Sequence, residues 1–171
     1  MGRRIEVVAG PEGLGKRSMI TMNITNRKAK KMFDIEKNII PLIDNAKSSI
    51  ISSVDQDGFP NSKAMLPARK RIGVQKLYFT TNTSSMRVEQ YKANPKSCVY
   101  FFNNSKFQGV MLKGCITVLE DVASKEMVWR SGDEMYYPKG VTDPDYCVLM
   151  CTTTEGRYYS NFSSHTFTIG A

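Results

Sequence analysis

From Ser48 to Ile169 the apolar positions alternate with polar ones or gather in short β-branched runs, and this period of two predicts strands. Ser49–Val54 runs into Asp55-Gln56-Asp57-Gly58, a hairpin turn signal, and the return strand is expected over Asn61–Leu66. Further strands are expected over Lys76–Thr81, Ser97–Asn103, Val110–Glu120, Tyr146–Thr153, Gly156–Asn161 and Thr166–Ile169. Gly114, inside the longest, marks a bulge or a close backbone approach. Three segments carry a helical period instead. Met32, Ile35, Ile39, Leu42 and Ile43 recur at helical spacing within Arg27–Ala46, where Pro41 kinks or splits the helix. Ser84–Ala93 reads as a short helix stopped by Asn94-Pro95, and Ser124–Arg130 as another with Ser124 as its cap. Ser131–Asp145 reads as a loop. Strands joined mainly by hairpins, with few βαβ units, predict a mainly β fold: an antiparallel barrel of about six or seven strands with two or three helices.

Composition narrows the setting. The chain has 171 residues, 41% hydrophobic and 23% charged, which suits a folded domain with its own core. No apolar run approaches the roughly 18 residues that cross a bilayer. Arg3-Arg4 precedes only the short stretch Ile5–Ala9, interrupted by Glu6, which is too polar for a signal peptide. A cytoplasmic protein is expected. Cys147 and Cys151, on one predicted strand, would stand about 13 Å apart at roughly 3.3 Å per residue. That is beyond the reach of a disulfide, so Cys98, Cys115, Cys147 and Cys151 are expected as reduced, buried thiols.

The net charge of +8 raises nucleic acid as a partner. Residues 1–31 carry eight Lys/Arg against two Glu, whereas the remainder is nearly balanced. Basicity therefore belongs to a Gly-, Arg- and Asn-rich extension, residues 1–27, ahead of a single domain over 28–171. A solvated basic arm is the plainer reading, because the body lacks basic patches interleaved with aromatics.

Several apparent motifs fail on chemistry. Gly10-Pro11-Glu12-Gly13-Leu14-Gly15-Lys16 fits part of a phosphate-binding loop, but Arg17 stands where Mg²⁺ needs Ser or Thr. His165, the one histidine, has neither a GxSxG elbow nor cysteines at ligand spacing, and is expected at the surface. The pairs Asp55/Asp57 and Asp143/Asp145 sit beside Gly or Pro and read as turn formers. Thr80–Pro95 is different. A strand ends at Thr80-Thr81, hydroxyls follow at Thr83, Ser84 and Ser85, and a helix begins with Arg87 in its first turn. Hydroxyls, free N–H groups and a cation at one helix start suit a phosphate ester, although a simple helix cap explains Ser84 or Ser85 equally well. Lys63 could add a second cation.

Around this segment GFPNSKAML, LYFTTNTSSMRVEQYKANPKSCVYFFN, GVMLKGCITVLED and YYPKGVTDPDYCVLMCTTTEGRYY occur in order. Together they resemble the FMN-binding split-barrel superfamily of pyridoxamine 5′-phosphate oxidase, with the closing segment most like the general stress and nitroimidazole-resistance branch. The resemblance spans about Phe33–Ile169 and implies a Greek-key-like split barrel and a homodimer with FMN at the interface. It implies that Lys63 contacts the FMN phosphate and that Ala64, Met65 and Leu66 line the isoalloxazine. Thr80 and Thr81 would lie beside the ring and ribityl chain. Ser85, Met86 and Arg87 match a Ser-basic-basic phosphate grip from which Met86 removes one cation.

The vitamin site is not matched. Ala68 replaces an expected lysine, Gly109 a glutamine, Tyr159 a tryptophan, and the C-terminal Arg-x-His signature is missing. The expectation is an FMN-binding flavoprotein that passes electrons or hydride to a small-molecule substrate, with NAD(P)H as a donor, and is not a true pyridoxamine phosphate oxidase. The alternative is a non-catalytic flavin or haem sensor. Trp129 is expected in core or interface packing.

Overall fold

The computed structural model describes residues 33–170. The expected basic extension, the Gly10–Lys16 loop and the start of the Arg27–Ala46 helix lie outside the described residues.

The first helical segment is split, as Pro41 requires. Asp34 caps α1 (Ile35–Asn38) by accepting the Lys37 N–H at 3.0 Å. The chain turns at Ile39, and Pro41 sits in the first turn of α2 (Ile40–Asp44), where its missing N–H breaks no helical bond. Ile39, Leu42 and Ile43 are buried in the core.

Strands β1 (Ser49–Val54) and β2 (Pro60–Met65) form the expected hairpin. Asp55 Oδ1 accepts the N–H of Asp57 at 3.1 Å and of Phe59 at 2.8 Å, and Gly58 takes a φ of +84° that other residues rarely adopt. Then come β3 (Lys70–Ile72), β4 (Lys76–Asn82), α3 (Met86–Ala93), β5 (Lys96–Asn103), β6 (Gln108–Leu119), α4 (Val122–Val128), β7 (Tyr146–Ser160) and β8 (Ser163–Thr168). Every ladder is antiparallel. The order β2-β1-β5-β6-β7-β4-β3 leaves β2 and β3 as unjoined edges, so the sheet is a split and not a closed barrel. Alternate residues of the central strands, among them Ile51, Leu77, Val99, Phe101, Leu112 and Leu149, fill the interior at 0% exposure.

The sequence-based expectations need three corrections. The described residues hold eight strands in one antiparallel sheet, in keeping with the expected split barrel of about six or seven. β3 is additional: three residues without an alternating pattern, held by pairing with β4. The segments Tyr146–Thr153 and Gly156–Asn161 are one 15-residue strand, β7. Its first half pairs with β4 and its second half with β8, while β6 runs along the other edge. The supposed turn at Thr154 is a bulge: Lys113 pairs with Glu155 and Gly114 with Thr153, so Thr154 is the extra residue. A Cβ at Gly114 would collide with the Thr152 carbonyl, which explains the glycine. Finally, α4 is capped by Asp121, whose Oδ1 accepts the Ser124 N–H at 2.9 Å, and not by Ser124 itself.

Helix α3 crosses the barrel wall at β1. Ser53 Oγ donates to Gln90 Oε1 at 2.6 Å in a buried bond, and Tyr91 OH donates to the Ser52 carbonyl at 3.1 Å. Burial pushes the Tyr91 phenol up to about 12. These contacts fix the helix whose first turn carries Arg87.

Candidate functional site

Strand β4 delivers Thr80 and Thr81 to opposite faces. Thr81 points inward beside Cys147, whose Sγ donates to the Thr81 carbonyl at 3.5 Å, and Thr80 stands opposite Val148 on the other face. The chain then turns through Asn82–Ser85, with the Ser85 N–H donating to the Asn82 carbonyl at 3.0 Å. Ser85 occupies the N-cap position of α3 in extended geometry, yet its hydroxyl makes no capping bond. It accepts from Arg87 Nη2 at 3.2 Å instead. Arg87 Nε is buried without a partner among the described residues, and so is the Thr83 hydroxyl. A buried guanidinium N–H left unpaired is costly unless an acceptor meets it. Ser85 and Arg87 therefore come together as expected, at an uncapped helix start with donors to spare. Met86 is 61% exposed and adds no charge. An anionic oxygen cluster fits this set.

The β2 residues divide by face. Lys63 pairs with Ile51 and Met65 with Ser49, so both lie on the face of Ser53, against which α3 packs. Ala64 pairs with Ile50 on the opposite face. Leu66, past the strand end, is 67% exposed. Ala68 lines a cleft of about 420 Å³ with Ile43, Asp44 and Arg69–Arg71. Two of its cations are already paired, Arg69 with Asp133 at 2.7 Å and Arg71 with Asp44 of the cleft itself at 2.6 Å.

Gly109 and Tyr159, two of the positions that depart from the oxidase pattern, are cross-strand partners. They line a second cleft, of about 390 Å³, with Tyr100, Met111, Arg157 and Ser164. The Tyr100 hydroxyl lies where a side chain at 109 would begin. Trp129 packs edge-on against Tyr146 at 5.2 Å, as expected of a packing residue. His165 is exposed and stacks on Phe33 at 4.9 Å. All four cysteines are free, but only Cys147 and Cys151 are buried; Cys115 is exposed, contrary to expectation, because its β6 position faces outward. No group of three or more potential metal ligands occurs among the described residues. No described helix is long and apolar enough to cross a membrane.

One residue at the site escaped the sequence. Asp145 accepts the Ser84 N–H at 2.8 Å and the Asn82 side-chain amide at 2.7 Å. The Asn82 bond, followed by the Ser84 N–H, holds its carboxyl below the usual range. Reading Asp143/Asp145 as turn formers caught their local role, since Asp143 Oδ1 accepts the Asp145 N–H at 2.9 Å. Nothing in the spacing signals a contact across 61 residues.

Residues 34–170 match the family model described as pyridoxamine 5′-phosphate oxidase like. Among solved structures, one similar chain is a Clostridium acetobutylicum protein related to general stress protein 26 of B. subtilis, of the pyridoxinephosphate oxidase family. It is 43% identical, with 79% of this chain and 93% of that chain covered and a TM-score of 0.71. A pyridoxamine 5′-phosphate oxidase-related, FMN binding protein from Nostoc punctiforme is 12% identical, with coverages of 80% and 93% and a TM-score of 0.56. A heme binding protein from Mycobacterium smegmatis is 11% identical, with coverages of 74% and 55% and a TM-score of 0.60. The last two show likeness of fold alone. No curated protein matches.

Proposed function

This chain belongs to the pyridoxamine 5′-phosphate oxidase like family, and from that premise we propose that it is an FMN-binding oxidoreductase acting on a small molecule other than pyridoxamine phosphate. The observation that carries the reading is the start of α3. Arg87 Nη2 meets Ser85 Oγ at 3.2 Å, while the buried Arg87 Nε and Thr83 hydroxyl lack partners. Those groups suit the dianionic end of FMN, and riboflavin would leave them unmet. Thr80 and Thr81 would flank the ribityl chain and ring, Lys63 would add a cation, and Ala64, Met65 and Leu66 would offer backbone and apolar surface to the isoalloxazine. When bound, FMN supplies electron transfer between a reduced donor such as NAD(P)H and the substrate. The chain's own part is to hold the phosphate, orient the ring and exclude water. The match to the pyridoxamine 5′-phosphate oxidase like family over residues 34–170 supports this cofactor. The loss of a lysine at Ala68 argues against the vitamin phosphate as substrate. We also infer a homodimer, supported by the exposed aromatic side chains of Tyr100 and Phe102 on β5 and of Phe107 in the turn that follows it.

Titration of the full chain with FMN and with riboflavin, followed by absorbance and flavin fluorescence, tests the proposal. FMN is expected to bind more tightly than riboflavin. Arg87→Ala should weaken FMN by about 1.5–3 kcal/mol, the range for a lost charge-assisted hydrogen bond. Equal binding of FMN by the wild type and this variant would contradict the assignment. A Soret band on adding haem, without flavin uptake, would replace FMN by the haem alternative. Oxidation of NADH or NADPH by the loaded protein separates an enzyme from a binder.

A further inference from the structure

Three consecutive residues, from the end of β4 into the loop before α3, are tied to Asp145. The Thr83 N–H donates to the Asp145 carbonyl at 2.9 Å, the Ser84 N–H to Oδ1 at 2.8 Å, and Asn82 Nδ2 to Oδ2 at 2.7 Å. Asp145 is itself anchored. Its N–H donates to Asp143 Oδ1 at 2.9 Å, and the second oxygen of that buried carboxylate accepts the Lys139 N–H at 3.3 Å. The Asp143 carbonyl accepts from the buried ammonium of Lys125, on α4, at 3.1 Å. From the same loop, Tyr137 OH donates to Asn82 Oδ1 at 3.4 Å. A continuous set of hydrogen bonds thus runs from α4 through Asp143 and Asp145 to Asn82–Ser84.

A carboxylate beside a site for an anion needs a reason. By charge alone it repels the anion, and it occupies the Ser84 N–H that a phosphate could otherwise use. Both of its oxygens are engaged, however, and Asp145 is only partly covered, so water screens its charge at a distance. Fixing the backbone at 82–84 acts in the opposite direction. It sets the path of the chain into Ser85 and Arg87 before any ligand arrives, and removes the ordering cost from binding.

We propose that Asp145 is a positioning residue for the cofactor phosphate, clamping Asn82–Ser84 so that Ser85 and Arg87 are preset to receive it. This rests on the FMN reading above. Repulsion and clamping predict opposite signs, which makes the proposal testable.

Wild type, Asp145→Ala, Asp145→Asn and Arg87→Ala are titrated as full chains with FMN and with riboflavin. Hydrogen exchange of residues 80–88 is followed without flavin. Asp145→Ala should weaken FMN about tenfold, the scale of losing charge-assisted bonds, leave riboflavin binding unchanged, and speed exchange at Thr83 and Ser84. Asp145→Asn, which keeps one acceptor for the Ser84 N–H, should lose less; if the alanine variant does not fold, faster exchange and a selective FMN loss in the asparagine variant carry the test. Tighter FMN binding in either variant, or equal losses for both flavins, overturns the proposal. An unchanged FMN preference in Asp145→Ala, beside a lost preference in Arg87→Ala, overturns the clamp and leaves the FMN reading standing. A wild type that binds neither flavin removes both.

Discussion

Cys147 and Cys151 lie four residues apart on the inward face of β7, and burial raises both thiols, Cys151 to about 12. A raised thiol stays protonated as pH climbs toward its shifted value, and the thiol is the unreactive form. At about pH 8, a maleimide or disulfide reagent should therefore label Cys115 in the native protein and reach Cys147 and Cys151 only on unfolding. Mass spectrometry of the labelled peptides checks this, and native labelling of Cys151 at the rate of Cys115 would contradict it. Residue identity said less about the candidate site. Ser85 and Arg87 were legible because a short local segment brings them together. Asp145 was not, because its contact with Ser84 spans 61 residues. Nor does a sequence reveal which serine is the capped one: Ser124 looks like a cap, but its N–H is the donor to Asp121.

At the level of elements, hydrophobic period located most strands within a residue or two, and it failed where tertiary pairing decides. β3 has no pattern of its own and exists because β4 offers an edge. Thr154-Glu155 reads as a turn between two strands, but the ladder to β6 continues past it with one residue bulged out. The bulge depends on Gly114, whose missing Cβ leaves room for the Thr152 carbonyl. That neighbour is main chain held in two ladders and cannot swing aside. Gly114→Ala should therefore destabilise the fold by about 1–3 kcal/mol, the usual scale of overpacking. A urea melt with an unchanged midpoint would show that the two strands separate more readily than their register suggests.

For the whole molecule, the outward aromatic surface formed by β5, the turn after it and the end of β7 matters most. Tyr100 and Phe102 stack there at 6.2 Å, 40% and 42% exposed, and Phe107 meets Tyr159 edge-on nearby. Contiguous aromatic surface of this kind commonly marks association. If the homodimer forms through it, Phe102→Glu should shift the mass seen by light scattering from dimer to monomer while the circular dichroism of the fold persists. A wild type and variant of equal mass would locate the contact elsewhere or remove it. The clamp at Asp145 has one more consequence, in the time of synthesis. Ser84 leaves the ribosome 61 residues before its partner, an interval of about 3–12 s at roughly 5–20 residues per second. β4 waits over the same stretch for the strand that covers its edge. A nascent chain halted before Asp145 therefore displays the Asn82–Ser84 segment without its restraint.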